Sequence, residues 1–192
     1  VADLEAAFYF DLASPAAYLA AERALAVLPQ PCEWRPILAC RLPGAETFEG
    51  FRCAEEEQIF RAEIERRARD TGLQPFRWPD PFPFDSELAM RVATYARRIG
   101  RTVAFAQAAF RQAFAGGHAL SVSDHVLIAA AACEMHPTAV TRAAATRGVR
   151  EELERTTAAA LRQGVSDVPA VAVGDRVLVG ERNLERAAAL LR

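Results

Sequence analysis

Lysine is absent, so every basic side chain apart from three histidines is one of 23 arginines. That excludes Schiff-base catalysis by an ε-amine. Cysteine is sparse: Cys32, Cys40, Cys53 and Cys133 lie far apart, with no C-x-x-C pair and no ligand run suited to structural zinc. They read as free thiols of a reducing compartment. The histidines show no ligand spacing either, and no metal site is expected. An excess of one charge is also lacking, because 25 acidic residues leave a formal net charge of -2. Phosphate binding draws on clustered positive charge, so nucleic acid is not an expected partner. No apolar run approaches a membrane span, and the first residues lack the basic-then-apolar pattern of a leader. The expected setting is cytoplasmic, with no membrane partner. What is present is a composition that is 52% hydrophobic over 192 residues. That suffices for one domain, or for a small domain carrying a large insertion.

Residues 6–10 read as a buried strand, 11–14 as a turn, and 15–28 as a helix that Pro15 opens at its first position. Residues 32–37 form a second strand and complete a β-α-β unit. A charged amphipathic helix is expected over 51–71, with Gly72 as its stop. The proline- and aromatic-rich stretch from Gln74 to Phe84 cannot be helical. Alanine-rich helices follow over 86–99, 102–114, 123–135 and 137–146. The chain then returns to mixed structure: a helix over 149–163 closed by Gly164, strands over 170–173 and 176–179 joined at Gly174-Asp175, and a last helix to Leu191 with Asn183 as its cap. This order describes an α/β thioredoxin-like fold interrupted by an all-helical insertion. Residues 1–40 and 149–192 make the thioredoxin-like domain and 41–148 the insertion.

Ser14 falls where a strand gives way to a helix, whose first turn offers unpaired N–H groups and a positive dipole end. It is an N-cap, or it is an N-cap whose hydroxyl also donates to an anion such as a ligand thiolate. No neighbouring base is evident that would make it a nucleophile. Val168-Pro169 enters a strand. It is a rigid entry, trans or cis, or it is a cis-proline that leaves the Val168 backbone open to an extended ligand. Asp124 and His125 read as a first-turn helix charge and a surface residue rather than as a catalytic pair. Phe76, Trp78, Phe82 and Phe84 line an aromatic pocket or form a hydrophobic plug.

Phe8-Tyr-Phe-Asp-Leu-Ala-Ser-Pro15 with Tyr18-Leu-Ala20, then Gly164-Val-Ser-Asp-Val-Pro169, then Val173-Gly-Asp-Arg-Val-Leu-Val-Gly-Glu181, resemble the 2-hydroxychromene-2-carboxylate isomerase family. That family is similar to kappa-class glutathione transferases and belongs to the DsbA-like group. Phe82-Pro-Phe-Asp-Ser86 and Leu88-Ala-Met-Arg91 resemble its inter-helix segment, and the likeness covers nearly the whole chain in order. It implies that Ser14 contacts the glutathione sulfur, that Pro169 is the cis-proline, and that Val168 pairs with the glutathione backbone. It further implies a homodimer and a glutathione-dependent isomerisation of 2-hydroxychromene-2-carboxylate or a related conjugated aromatic acid. Tyr18, Trp78, Phe82, Phe84 and Asp85 are the candidate substrate pocket.

Several positions depart from the family pattern. Arg182 stands where an aspartate is expected to help bind the glutamyl amino group. A cation repels an ammonium, so Glu181 compensates, or the pocket takes a different thiol or none. Ala16 and Ala17 remove hydroxyls from the helix start, and Asp85 replaces an asparagine. Residues 42–60 lack the family's lysine. Kappa-like transfer and a non-redox binding protein are the alternatives to isomerisation. A dithiol oxidoreductase is not expected, because residues 14–17 read Ser-Pro-Ala-Ala and thiol exchange needs two sulfurs.

Overall fold

The computed structural model describes residues 5–44, 50–73 and 75–192. Gln74, where the expected proline and aromatic stretch begins, and five residues of the departing 42–60 segment lie outside the described residues. Four strands form one sheet: β1 (Ala6–Phe10), β2 (Glu33–Pro36), β3 (Ala170–Val173) and β4 (Arg176–Val179), in the order β2-β1-β3-β4. β1 and β2 are parallel across α1 (Pro15–Val27), while β3 runs antiparallel to both of its neighbours. Between the two halves of the sheet run α2 (Ala54–Asp70), α3 (Glu87–Arg98), α4 (Thr102–Phe114), α5 (Ser123–Ala131), α6 (Pro137–Ala145) and α7 (Arg147–Gln163). α8 (Leu184–Leu190) ends the chain.

Strand alternation sends side chains to two cores. Phe8, Phe10, Trp34, Val171 and Val173 join α1, α3, α4 and α8 in one large cluster. Ala7, Tyr9, Ala170 and Ala172 meet Ala160 of α7 and Val165 on the other face. The large cluster runs without a break from the sheet into the helical insertion, where the seams of α3, α4 and α5 are built from alanine. Ala89, Ala93, Ala96, Ala106, Ala109, Ala113 and Ala130 are all fully buried.

Several expected boundaries shift, and the helix over 51–71 starts only at Ala54. The helix over 123–135 stops at Ala131, because Glu134 turns left-handed (φ 58°) and sends the Met135 N–H back to the Ala130 carbonyl at 3.1 Å. The turn buries Met135. Asn183 does not cap the last helix through its side chain. It sits in a 3-10 turn (Glu181–Asn183), and its Nδ2 donates to the Val179 carbonyl at 2.6 Å. Helix α7 starts at Arg147, ahead of the expected 149, because Thr146 caps it by accepting the Val149 N–H.

The turn after β1 hangs on one buried side chain. Asp11 Oδ1 accepts the Ala13 N–H and Oδ2 accepts the Ala39 N–H, each at 2.9 Å, which joins the β1–α1 turn to the segment after β2. Met90 Sδ of α3 accepts the intervening Leu12 N–H at 3.2 Å, and Thr157 of α7 accepts the Leu38 N–H at 3.0 Å. Burial holds the Asp11 carboxyl above its ordinary value of 3.8, against the two backbone bonds that pull it down.

Asp11→Asn exchanges one acceptor for a donor facing an N–H, with an expected loss of about 1–3 kcal/mol in urea unfolding. Because the folded pKa is raised, the folded chain keeps this proton where the unfolded chain has released it. The stability that results is present below the unfolded value of 3.8 and is lost as pH rises through the folded pKa. The gap between wild type and Asp11→Asn should therefore narrow as pH rises from 3.8 toward neutrality. A gap that widens over that range contradicts this account.

Candidate functional site

The Asp11-anchored turn delivers Ser14 to the start of α1. Ser14 is 4% exposed, its Oγ accepts the Ala17 N–H at 3.1 Å, and its N–H donates to the Asp11 carbonyl at 3.0 Å. No intrahelical carbonyl reaches the first-turn N–H groups. Pro15 has none to offer and Ala17's is taken, which leaves that of Ala16. Ser14 Oγ also lies 3.5 Å from the Val168 carbonyl, a contact so long that its proton can turn to a better acceptor at little cost.

Val168-Pro169 is cis. The Val168 N–H is not open as the extended-ligand reading requires, because it donates to Asp167 Oδ1 at 2.7 Å. Gly44 holds that loop from outside, its N–H bonded to the Ser166 carbonyl at 2.8 Å, and a Cβ at Gly44 would come within 2.8 Å of Asp167. Burial raises the Asp167 pKa against the pull of the Val168 bond.

Around these groups lies a cavity of about 100 Å³, walled by Ser14, Phe60, Ile64, Arg67, Phe82 and Asp167, among others. Pro83 lines it and also lines a neighbouring hollow of about 340 Å³, where Asp11, Cys40, Arg41, Phe84, Asp85 and Glu87 are found. Of the expected site residues, Ser14, Val168 and Phe82 therefore meet in the cavity, while Phe84 and Asp85 line the adjoining hollow. Asp85 spends Oδ1 on the Glu87 N–H at the start of α3. Tyr18 lies elsewhere. It is 1% exposed and packed on Phe76, Phe110 and Phe114, and burial pushes its hydroxyl up to about 12. Trp78 stands behind Phe82, with ring centroids 4.7 Å apart; Arg61 covers it and its Nε1–H bonds Glu65 at 2.8 Å.

Glu181 and Arg182 separate. Glu181 is buried and its carboxylate takes the guanidinium of Arg67, whereas Arg182 is exposed and pairs with Glu63 at 3.1 Å. Glu181 is thus balanced by a cation of this chain, and Arg182 does not line the cavity. Among the described residues, Arg67 and Asp167 are charged wall residues that the sequence did not single out. Arg67 is one of several arginines in α2, but Phe60, Ile64 and Arg67 fall at i, i+4 and i+7. A cation on the apolar stripe was the available signal.

The family model for a DSBA-like thioredoxin domain matches residues 6–192. Among solved structures, the chain is similar to a 2-hydroxychromene-2-carboxylate isomerase at TM-score 0.82 and 20% identity, covering 97% of this chain and 93% of that one. It is also similar to a probable DsbA oxidoreductase from Streptomyces coelicolor, at TM-score 0.80 and 18% identity, covering 98% and 88%. The cytosolic disulfide reductase DsbM from Pseudomonas aeruginosa with GSH gives TM-score 0.68 and 17% identity, covering 98% and 96%. At these identities the likeness carries the fold. No curated protein matches by sequence. Among the described residues, no helix is long and apolar enough to cross a membrane.

The two arginines beside Glu181 should respond differently to removal. Breaking a buried pair from one side costs about 3–5 kcal/mol, and since the Arg67 side chain stays 20% exposed, Arg67→Met should lose roughly 2 kcal/mol after screening. Arg182→Met, which removes an exposed pair, should stay within about 0.5 kcal/mol of wild type. Urea midpoints compared at equal slope check this, and equal losses would refute the assignment of Glu181 to Arg67.

Proposed function

This chain belongs to the DSBA-like thioredoxin domain family, and on that premise we propose that it is a glutathione-dependent isomerase of 2-hydroxychromene-2-carboxylate or a related conjugated aromatic acid. The observation that carries the reading is a serine hydroxyl, not a thiol, at the start of α1, in a walled cavity that Val168, the residue before a cis-proline, also lines. The four free cysteines all lie outside that cavity, which counts against dithiol exchange. Free thiols also suit a reducing, cytoplasmic setting.

The donor set fits a thiolate. Ser14 Oγ–H can turn from the Val168 carbonyl, and the Ala16 N–H and the helix dipole add to it, while the Arg67 guanidinium on the wall is already paired with Glu181. The bound thiol supplies reversible addition to a conjugated carbon, with rotation about the neighbouring bond before it leaves unchanged. Phe60 and Phe82 exclude water from that position and offer ring faces to an aromatic acceptor. A cavity of about 100 Å³ holds only the sulfur end of such a ligand, and the hollow beyond Pro83 provides the remaining room. Asp167 opposes an anion when ionised, and its raised pKa reduces that opposition. A non-redox binding protein, or transfer with another thiol, is the second reading. It is favoured by the Glu181 carboxylate being taken by Arg67 rather than left for a ligand ammonium.

Calorimetric titration with reduced glutathione is the first test, and no binding at millimolar ligand rejects the isomerase. Ultraviolet titration of the bound thiol then follows the charge. Ser14→Ala should raise its pKa by about one to two units, since a hydrogen bond to a charged group is worth about 1.5–3 kcal/mol. The lost cap should cost only about 1 kcal/mol of stability. Asp167→Asn should move the thiol pKa the opposite way. An unchanged pKa in Ser14→Ala returns Ser14 to the role of helix cap alone.

A further inference from the structure

α4 and α5 are joined by a loop in which Gly117 turns left-handed (φ 78°), and His118 after it forms an isolated parallel bridge with Asp80. Further on, His125 stands in the first turn of α5. The loop folds the two imidazoles together, with ring centroids 4.9 Å apart and planes inclined by 47°. His118 is exposed and His125 half-buried, so solvent reaches the pair. His125 Nδ1 lies 2.7 Å from the Ala119 carbonyl. A carbonyl only accepts, so that nitrogen carries the proton and Nε2 keeps its lone pair. The His118 ring makes no hydrogen bond among the described residues and can turn about its Cβ–Cγ bond.

An imidazole with one nitrogen bonded to a backbone carbonyl and the other bare is the usual state of a metal-ligating histidine. The spacing agrees. Two ring nitrogens at about 2.0–2.1 Å from one tetrahedral cation put the ring centroids about 5 Å apart, the separation found between His118 and His125. Burial does not account for the contact, because His118 remains in water. Asp80 across the bridge and Asp124 beside His125, both exposed, make the surroundings negative. Asp124 also offsets the dipole at the start of α5, which by itself opposes a cation. Among the described residues no third histidine, cysteine or carboxylate completes a three-ligand set. The remaining positions fall to water, as at an open, exchangeable site. Imidazole suits zinc, copper and nickel, whereas magnesium and calcium take oxygen ligands.

We propose that His118 and His125 form a binding site for a divalent transition-metal cation, held through two imidazole nitrogens and otherwise hydrated. No ligand spacing marks the two residues in the sequence, and the loop alone brings them together. The site is independent of the reading given to the Ser14 cavity, which neither histidine lines. It would therefore stand if glutathione failed to bind.

The test is an NMR titration of the full chain with Ni²⁺, read at the ring protons of the three histidines. Bound Ni²⁺ is paramagnetic and broadens the rings it touches. His136, exposed ahead of Pro137, serves as the single-imidazole control. His118 and His125 should broaden together, at Ni²⁺ concentrations about tenfold or more below those that affect His136, because the second imidazole binds intramolecularly. Zn²⁺ should reverse the broadening by competition, and Mg²⁺ should not. His118→Ala, which removes an exposed ring, should bring His125 down to the affinity of His136, while His136→Ala leaves the pair unchanged. Broadening that begins at His136, that reaches only one ring of the pair, that centres on the exposed Cys40 and Cys53 instead, or that survives His118→Ala at unchanged concentration overturns the proposal.

Discussion

The buried carboxylate of Asp11 is the constraint on which the site depends. A turn that leaves a parallel strand and enters a helix within four residues has few hydrogen bonds of its own. Asp11 supplies them from inside, one oxygen for its own turn and one for the segment beyond β2. Burial disfavours the charged form of this carboxyl, and the two backbone N–H bonds offset part of that penalty. Ser14 then needs no strain to reach its position. Its backbone is extended, as a cap requires, and the helix dipole points where the hydroxyl stands.

The insertion completes what the sheet begins. α2 brings Phe60, Ile64 and Arg67 across the start of α1, and the chain after β4 meets it with Glu181. The cavity is therefore walled by parts of the chain more than a hundred residues apart. Among the described residues the ion pairs Arg67–Glu181 and Arg182–Glu63 tie α2 to the chain after β4, and an aromatic cluster of Phe51, Phe60, Phe82 and Trp78 supports them. Electrostatically the site is mixed. The helix start favours an anion and the Arg67 cation is offset by Glu181, while Asp167, and Asp85 in the adjoining hollow, oppose one.

Much of this was legible in the residues themselves. Alternation placed the strands, Pro15 and Pro137 opened helices at their first turns, and Gly164 closed α7 in the left-handed region that glycine tolerates. Ser14 could be read as a cap because capping is local. The stop at Ala131 was not legible, since a run of alanines carries no signal against continuing and Glu134 is an unusual residue to turn left-handed. Tyr18 entered the candidate pocket through the family resemblance, and it packs instead into the aromatic core on Phe76, Phe110 and Phe114, contacts that are long-range in sequence. The pairing of Glu181 with Arg67 is a tertiary fact that no local pattern contains.

The alanine seams of α3, α4 and α5 set how this half of the molecule can change over time. Alanine gives up no rotamer freedom when it is buried, so these helices are ordered at small conformational cost. Each contact also contributes little apolar area, and the insertion leans on Met90, Phe105, Phe110 and Phe114 for its bulk. Close backbones leave no space for a longer side chain, and overpacking there would push whole helices apart. Drift in this half should therefore be one-sided. Large core residues can exchange among themselves, whereas the alanines can give way only to glycine or serine, so the seams should be the slowest-changing surfaces in the chain's descendants.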